Sequence, residues 1–243
     1  MPCKYLLLDL DGTLLPMDKE KFLRGYVQAV AAKMAPHVAP ERFVKHLLAA
    51  TRAMIENLDP KLTNAEVFRT DFFARSGLPE KETMAIFERF YREDFPKLAS
   101  LTSTTPLARA VCTQALERGI ELVVATNPIF PRMAIEERLR WAGVGDLPFR
   151  LVTVYENMHF CKPRPQYYQE ILDLLGAGPA DCLMAGNDPE EDLVAGDLGI
   201  RTFLVTDCLI TRDGCDRRPD FSGRLSDLLT FITHRGKTAS GQQ

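Results

Sequence analysis

The chain of 243 residues has six cysteines, Cys3, Cys112, Cys161, Cys182, Cys208 and Cys215, but no Cys-x-x-Cys and no paired-ligand spacing. That argues against a zinc site or a disulfide framework and leaves free, mostly buried thiols as the expectation. There is no basic tail and no Lys/Arg-rich block. Thirty basic residues face 33 acidic ones for a formal charge of −3, so nothing electrostatic calls for nucleic acid. No apolar run approaches the roughly 20 residues of a membrane-spanning helix. The N-terminus lacks a positive leader followed by a cleavable apolar segment. No membrane partner and a cytoplasmic location are therefore expected. The small, polar ending "HRGKTASGQQ" is expected to be disordered over 236–243. Oligomeric state has no signature here.

What is present is ordinary globular composition, 46% apolar and 26% charged, with one stretch that is not ordinary. In "KYLLLDLDGTLLPMD", a strand that reads as buried on both faces, Tyr5-Leu6-Leu7-Leu8, ends in Asp9 and Asp11, followed at once by Gly12-Thr13. Alternation sends residues i and i+2 to one face, so the two carboxylates would leave the sheet as neighbours and repel. A shared proton, a bound cation, or a turn that lets one of them swing away would relieve the repulsion.

From about Asp18 to Phe95 the pattern is helical throughout. Asp18 suits the N-cap of a helix with Phe22, Tyr26, Val30 and Met34 on one face. After Pro36 and Pro40 a second helix should bury Phe43, Leu47, Leu48, Thr51 and Ile55. Thr63 or Asn64 can start a third that Gly77 closes, and Pro79 opens a fourth. From Pro106 onward helix and strand alternate, with strands at "IELVVAT", "FRLVTVY", "DCLMAG" and "IRTFLVT" and a helix at "PEEDLVAGDLG". The expected fold is α/β, a Rossmann-like parallel sheet covered by helices, with an all-α bundle inserted after the first strand. The expected boundaries are 1–15 with 100–235 for the core and 16–99 for the helical cap.

Ligands of open α/β sheets sit beyond the carboxyl ends of the strands. At those ends the sequence places Asp9 and Asp11, then Thr126 and Asn127. Lys162 follows before a Pro-opened helix, and finally Asn187 with Asp188 and Asp192 one helical turn on. Hydroxyl and amide groups suit an anionic oxygen, and a lysine held between prolines can neutralise carboxylate and phosphate together. Hard oxygen donors gathered at strand ends suit Mg²⁺. Glu190 and Glu191 are read as helix-dipole partners.

The order of these motifs, from Lys4 to Val205, resembles the haloacid dehalogenase superfamily. The helical insertion resembles the mobile cap of the subfamily containing phosphoglycolate phosphatase and β-phosphoglucomutase. The resemblance implies a Mg²⁺-dependent phosphatase acting on a small phosphorylated metabolite. Asp9 would be the nucleophile forming an aspartyl-phosphate, and Asp11 the general acid and base. Thr126 and Lys162 would hold the phosphoryl oxygens, with Asn127 beside them. Mg²⁺ would bridge Asp9, the Asp11 carbonyl and the acidic loop of Asn187 and Asp188, with Asp192 behind. The family's acidic motif usually begins Gly-Asp, whereas this chain reads Gly186-Asn187-Asp188, so either residue is a candidate ligand. A phosphomutase and a non-catalytic phospho-ligand binder are the alternatives. A dehalogenase is disfavoured because those relatives lack the second aspartate that Asp11 supplies. By the same resemblance the cap selects the leaving group, for which Arg24, Lys45, Arg52, Arg69 and Arg75 are candidates, and Leu14-Leu15-Pro16 would be its hinge. His159 reads as a loop residue.

Overall fold

A computed structural model describes residues 3–211 and 214–234. A six-stranded parallel sheet runs through it in the order β3-β2-β1-β4-β5-β6. The strands are β1 (Tyr5–Leu8), β2 (Glu121–Val124), β3 (Phe149–Val152), β4 (Cys182–Gly186), β5 (Arg201–Val205) and β6 (Phe221–Gly223). β1 is central and wholly buried, pairing with β2 on one side and β4 on the other. Its alternation divides the core. Leu6 and Leu8 enter one apolar layer, while Tyr5 and Leu7 enter the other. The chain winds outward from β1 through β2 to β3, then returns to β1's other flank as β4. A crevice opens where that direction reverses.

Between β1 and the rest of the sheet lie α1 (Lys19–Met34), α2 (Pro40–Glu56), α3 (Asn64–Ser76) and α4 (Glu80–Glu93), which return through a 3-10 segment, Phe95–Leu101. Their ends follow local chemistry. Asp18 accepts from the Lys21 N–H at 2.9 Å. Thr63 and Glu66 form a reciprocal capping box, and Gly77 ends α3 at φ 65°. Phe43, Phe72 and Phe87 pack edge-on or tilted in the middle of this bundle, with centroids 5.7 to 6.1 Å apart. The α2 face differs from the expected one: Ala50 and Met54 are buried with Phe43 and Leu47, while Leu48 is 54% exposed. An α-helical stripe is wider than a strict i+4 row, and Leu48 lies past its edge.

Helices α5 (Pro106–Glu117), α6 (Arg132–Trp141) and α8 (Leu225–His234) share the first layer, and α7 (Pro165–Leu175) covers the second. β6 and α8 have no counterpart in the sequence pattern above. The expected helix at "PEEDLVAGDLG" is only a 3-10 segment, Leu193–Leu198. Side chains take its backbone donors instead: Asp188 Oδ1 accepts from the Glu190 and Glu191 N–H groups, and Asp192 Oδ2 from that of Asp188. The expected disorder of 236–243 falls outside the described residues. Among the described residues no helix is long and apolar enough to cross a membrane.

Candidate active site

Parallel register brings three strand ends abreast. Leu8 pairs with Val124 and with Ala185. One residue on, the Asp9 N–H donates to the Ala185 carbonyl (2.9 Å) and the Ala125 N–H to the Leu8 carbonyl (2.8 Å). Asp9 therefore leaves the sheet between Thr126 and Asn187 on a backbone fixed from both sides.

The two aspartates of the opening motif do not stay on one face. The strand ends at Leu8, and the turn that follows is closed by the Thr13 and Leu15 N–H groups on the Leu10 carbonyl, at 3.2 and 2.9 Å. Gly12 takes φ 90°, and a Cβ there would run into the Asn187 amide, so this position needs glycine twice over. The turn separates the two carboxylates onto different partners. Asp9 Oδ1 accepts from Lys162 Nζ (2.9 Å) and its Oδ2 from the Thr13 hydroxyl (3.2 Å). Asp11 is carried the other way, onto Arg138 of α6.

Arg138 is 1% exposed, and its guanidinium lies over the Phe130 ring at 4.4 Å. Burial raises the Asp11 carboxyl above its ordinary range; Arg138 opposes this, and the negative charge of Asp9 adds to it. Asp11 Oδ1 and Arg138 Nη2 are buried without a hydrogen-bond partner.

Lys162 is wholly enclosed. It bonds Asp192 Oδ1 at 2.6 Å as well as Asp9. Burial alone would favour its neutral form, but Asp192 and Asp9 more than reverse that and hold it charged. Asp192 is itself pushed up, by burial, with Lys162 opposing. Two carboxylates share one ammonium, so a net negative charge remains against which a cation can bind.

Asp9, Asp11, Thr126, Asn127, Asn187, Asp188 and Asp192 line one cleft of about 230 Å³. Lys162 is brought to the same place but stands behind the carboxylates and is not part of the wall. The Thr126 carbonyl is held by the Thr153 and Tyr167 hydroxyls, both at 2.8 Å. Asn127 donates to the Lys162 carbonyl at 3.5 Å, and its Oδ1 has no hydrogen-bond partner. Asn187 donates to the Cys208 carbonyl at 2.6 Å, and its Oδ1 competes with Asp9 for the single Thr13 hydroxyl proton, 3.2 Å away.

Two residues escaped the sequence reading, and a third, Glu191, has a different role from the one expected. Arg138 sits on α6 with Ala134, Ile135 and Leu139, where the helical period calls for an apolar side chain; that misfit was the available signal. Lys19 opens α1 with a positive charge at the wrong end of the helix dipole. It bonds Glu191 at 3.2 Å and lies 3.8 Å from Asp188, and despite its burial these carboxylates and Asp9 raise its pKa. Glu191 thus faces the cleft instead of serving a helix dipole. Of the cap's candidate cations, Arg24, Lys45, Arg52, Arg69 and Arg75, none lines this cleft, and His159 pairs with Glu170 (2.6 Å) outside it.

A phosphoserine phosphatase of Thermus thermophilus is 26% identical over 93% of this chain and 96% of its own length. A pyrophosphatase PpaX of Bacillus cereus is 31% identical, over 50% of this chain and 56% of that protein. The structure of a predicted phosphoglycolate phosphatase from Haemophilus somnus superposes with a TM-score of 0.59 at 17% identity, over 94% of this chain and 97% of that one, a likeness of fold. The model of the haloacid dehalogenase-like hydrolases matches residues 3–197, and the chain belongs to that family of hydrolytic enzymes.

Proposed function

We propose that the protein is a Mg²⁺-dependent phosphatase that cleaves a small phosphate monoester through an aspartyl-phosphate on Asp9. The observation that carries the reading is the placement of Asp9: a carboxylate fixed at the central strand end, backed by a buried ammonium, in a cleft it shares with Asp11.

An Asp9 oxygen attacks phosphorus while the bond from phosphorus to the ester oxygen breaks. Asp11, whose buried carboxyl is biased towards its protonated form, gives its proton to the departing alcohol. Asp11 then takes a proton from water, the water oxygen attacks phosphorus, and the Asp9 carboxylate is restored as phosphate leaves. Arg138 holds Asp11 on the side of the cleft away from Lys162, so the two carboxylates keep different partners and different tasks. The Thr126 hydroxyl and the Asn127 side chain are placed to meet the phosphoryl oxygens, with Lys162 acting from behind Asp9.

The donor set fits a magnesium ion. Asp9, Asp188 and the Asp11 carbonyl offer hard oxygens, and Mg²⁺ commonly takes only one or two protein carboxylates, water and phosphate filling the rest. Among the described residues no group of three or more His, Cys, Asp or Glu side chains is placed to hold a metal ion by itself, so water and phosphate would supply the remaining ligands. Asp9 and the Asp11 carbonyl would hold the ion together with an oxygen of the acidic loop, from Asp188 or Asn187. When bound, it would draw charge from the phosphoryl oxygens and screen Asp9 from the incoming anion. Residues 16–99 act as the cap in this reading, and the cytoplasm is the expected location.

Turnover of a panel of phosphate monoesters should require Mg²⁺ and be lost in Asp9→Asn, while Asp188→Asn should raise the Mg²⁺ concentration needed for half-maximal rate. A fully active Asp9→Asn protein would remove that side chain from the chemistry.

A further inference from the structure

A second, larger cavity of about 940 Å³ lies between the helical insertion and the sheet domain, and Leu23, Ile55, Ile129 and Phe130 line both it and the catalytic cleft. These four residues make one continuous wall from Asp9 outward. Beyond them the lining is apolar: Val27, Leu47, Phe68, Met84 and Phe87 supply the far side. Two of the molecule's exposed large apolar side chains, Leu48 (54%) and Met133 (38%), lie along the same cavity.

Most of the charged groups of this region are engaged, and the exposed Lys81 also lines the cavity. Arg69 is bonded to Glu80, and Glu156 accepts twice from the Arg132 N–H at 3.0 Å. In the catalytic cleft Lys19 and Lys162 are each held by two carboxylates, and Arg138 by one. Beside Asp9, a leaving group with its own carboxylate or a second phosphate would need cations that these pairs already engage. Hydroxyls such as Thr51 and the Tyr26–Tyr91 pair, 2.8 Å apart, supply further polar handles.

Resting on the phosphatase reading above, we infer that the substrate is the phosphate monoester of a bulky, mainly apolar alcohol, whose ring or branched chain fills this cavity while its phosphate reaches Asp9. The volume is at the upper end of those that enclose drug-sized ligands, far more than a serine or glycolate needs.

The test compares 2-(1-naphthyl)ethyl phosphate with ethyl phosphate, whose alcohols are similarly acidic, and with O-phosphoserine. Binding of the two corresponding phosphonates is measured by calorimetry. The naphthyl compound should be favoured by about 100-fold in kcat/KM and in affinity. Ala85→Trp and Leu48→Glu, at exposed positions of the cavity lining, should cut that preference by about tenfold and leave ethyl phosphate turnover unchanged. Turnover of ethyl phosphate or phosphoserine as fast as the naphthyl ester overturns the inference and leaves the phosphatase standing. Preferential phosphonate binding with no ester hydrolysed keeps the ligand class and overturns the phosphatase. Absence of both preferences overturns the inference.

Discussion

Arg138 shows what a single buried charge does here. Its partner Asp11 is largely enclosed, so removing the guanidinium leaves a carboxylate in low dielectric with no countercharge. Arg138→Met should lower stability by about 3 kcal/mol in urea unfolding, and the double variant with Asp11→Asn should lose less than the two single losses summed. Additive losses would mean that the pair is not coupled. Gly12→Ala forces an alanine into positive φ against Asn187, and about 2 kcal/mol of destabilisation is expected. At this scale the sequence was legible where chemistry follows directly on strand ends, as with Asp9, Thr126 and Asn187. It was opaque where a residue from a distant helix completes the site: Arg138 is 127 positions from Asp11, and nothing local announces the pairing.

The elements are joined at a few identifiable points. Asn64, at the start of α3, donates through its buried amide to the Pro128 and Phe160 carbonyls, both at 3.3 Å, while its N–H reaches the Met158 carbonyl. Asn64→Ala would leave carbonyls of two core loops unpaired, and a loss of about 2 kcal/mol is expected, with faster hydrogen exchange in α3. On α5, Arg109 grips Asp146 with two bonds of 2.7 and 2.8 Å, holding that carboxyl down to about 2. A folded value below the ordinary 3.8 means that the bridge stabilises above that pH and loses its effect as pH falls towards 2. The stability difference between wild type and Asp146→Asn should therefore be flat above about pH 5 and shrink to nothing in acid; a difference that grows in acid would reverse the assigned sign. Helices α1 to α4 were readable because Asp18, Pro40, Thr63, Gly77 and Pro79 mark ends among them. β6 was not, since three residues at a sheet edge are too few to show a period. The segment after β4 misled because an acidic run that suits a helical first turn spends its carboxylates on its own backbone.

For the molecule as a whole, the bundle and the sheet domain share an apolar cluster. Tyr26 of α1 meets Phe130 at 5.0 Å, and Phe95 stacks on Trp141 of α6 at 5.3 Å. The two connecting strands touch as well, with the Ser103 N–H donating to the Pro16 carbonyl at 2.8 Å. Movement of the cap, expected from Leu14-Leu15-Pro16, would have to turn about this paired crossing, because Leu14 and Leu15 are themselves fully buried. The alternation of strands and helices made the sheet and the insertion legible from sequence. The cavity between them was not, because it is assembled from helices and loops with no sequence motif of their own.

All of the proposed chemistry converges on one covalent event. Rapid acid quenching during the first turnover, followed by borohydride reduction and peptide mass spectrometry, reads it directly, since reduction converts an acyl phosphate on aspartate into homoserine. The account predicts homoserine at position 9, dependent on both substrate and Mg²⁺. An unmodified Asp9 under conditions of full turnover, or the label on another side chain, would contradict it.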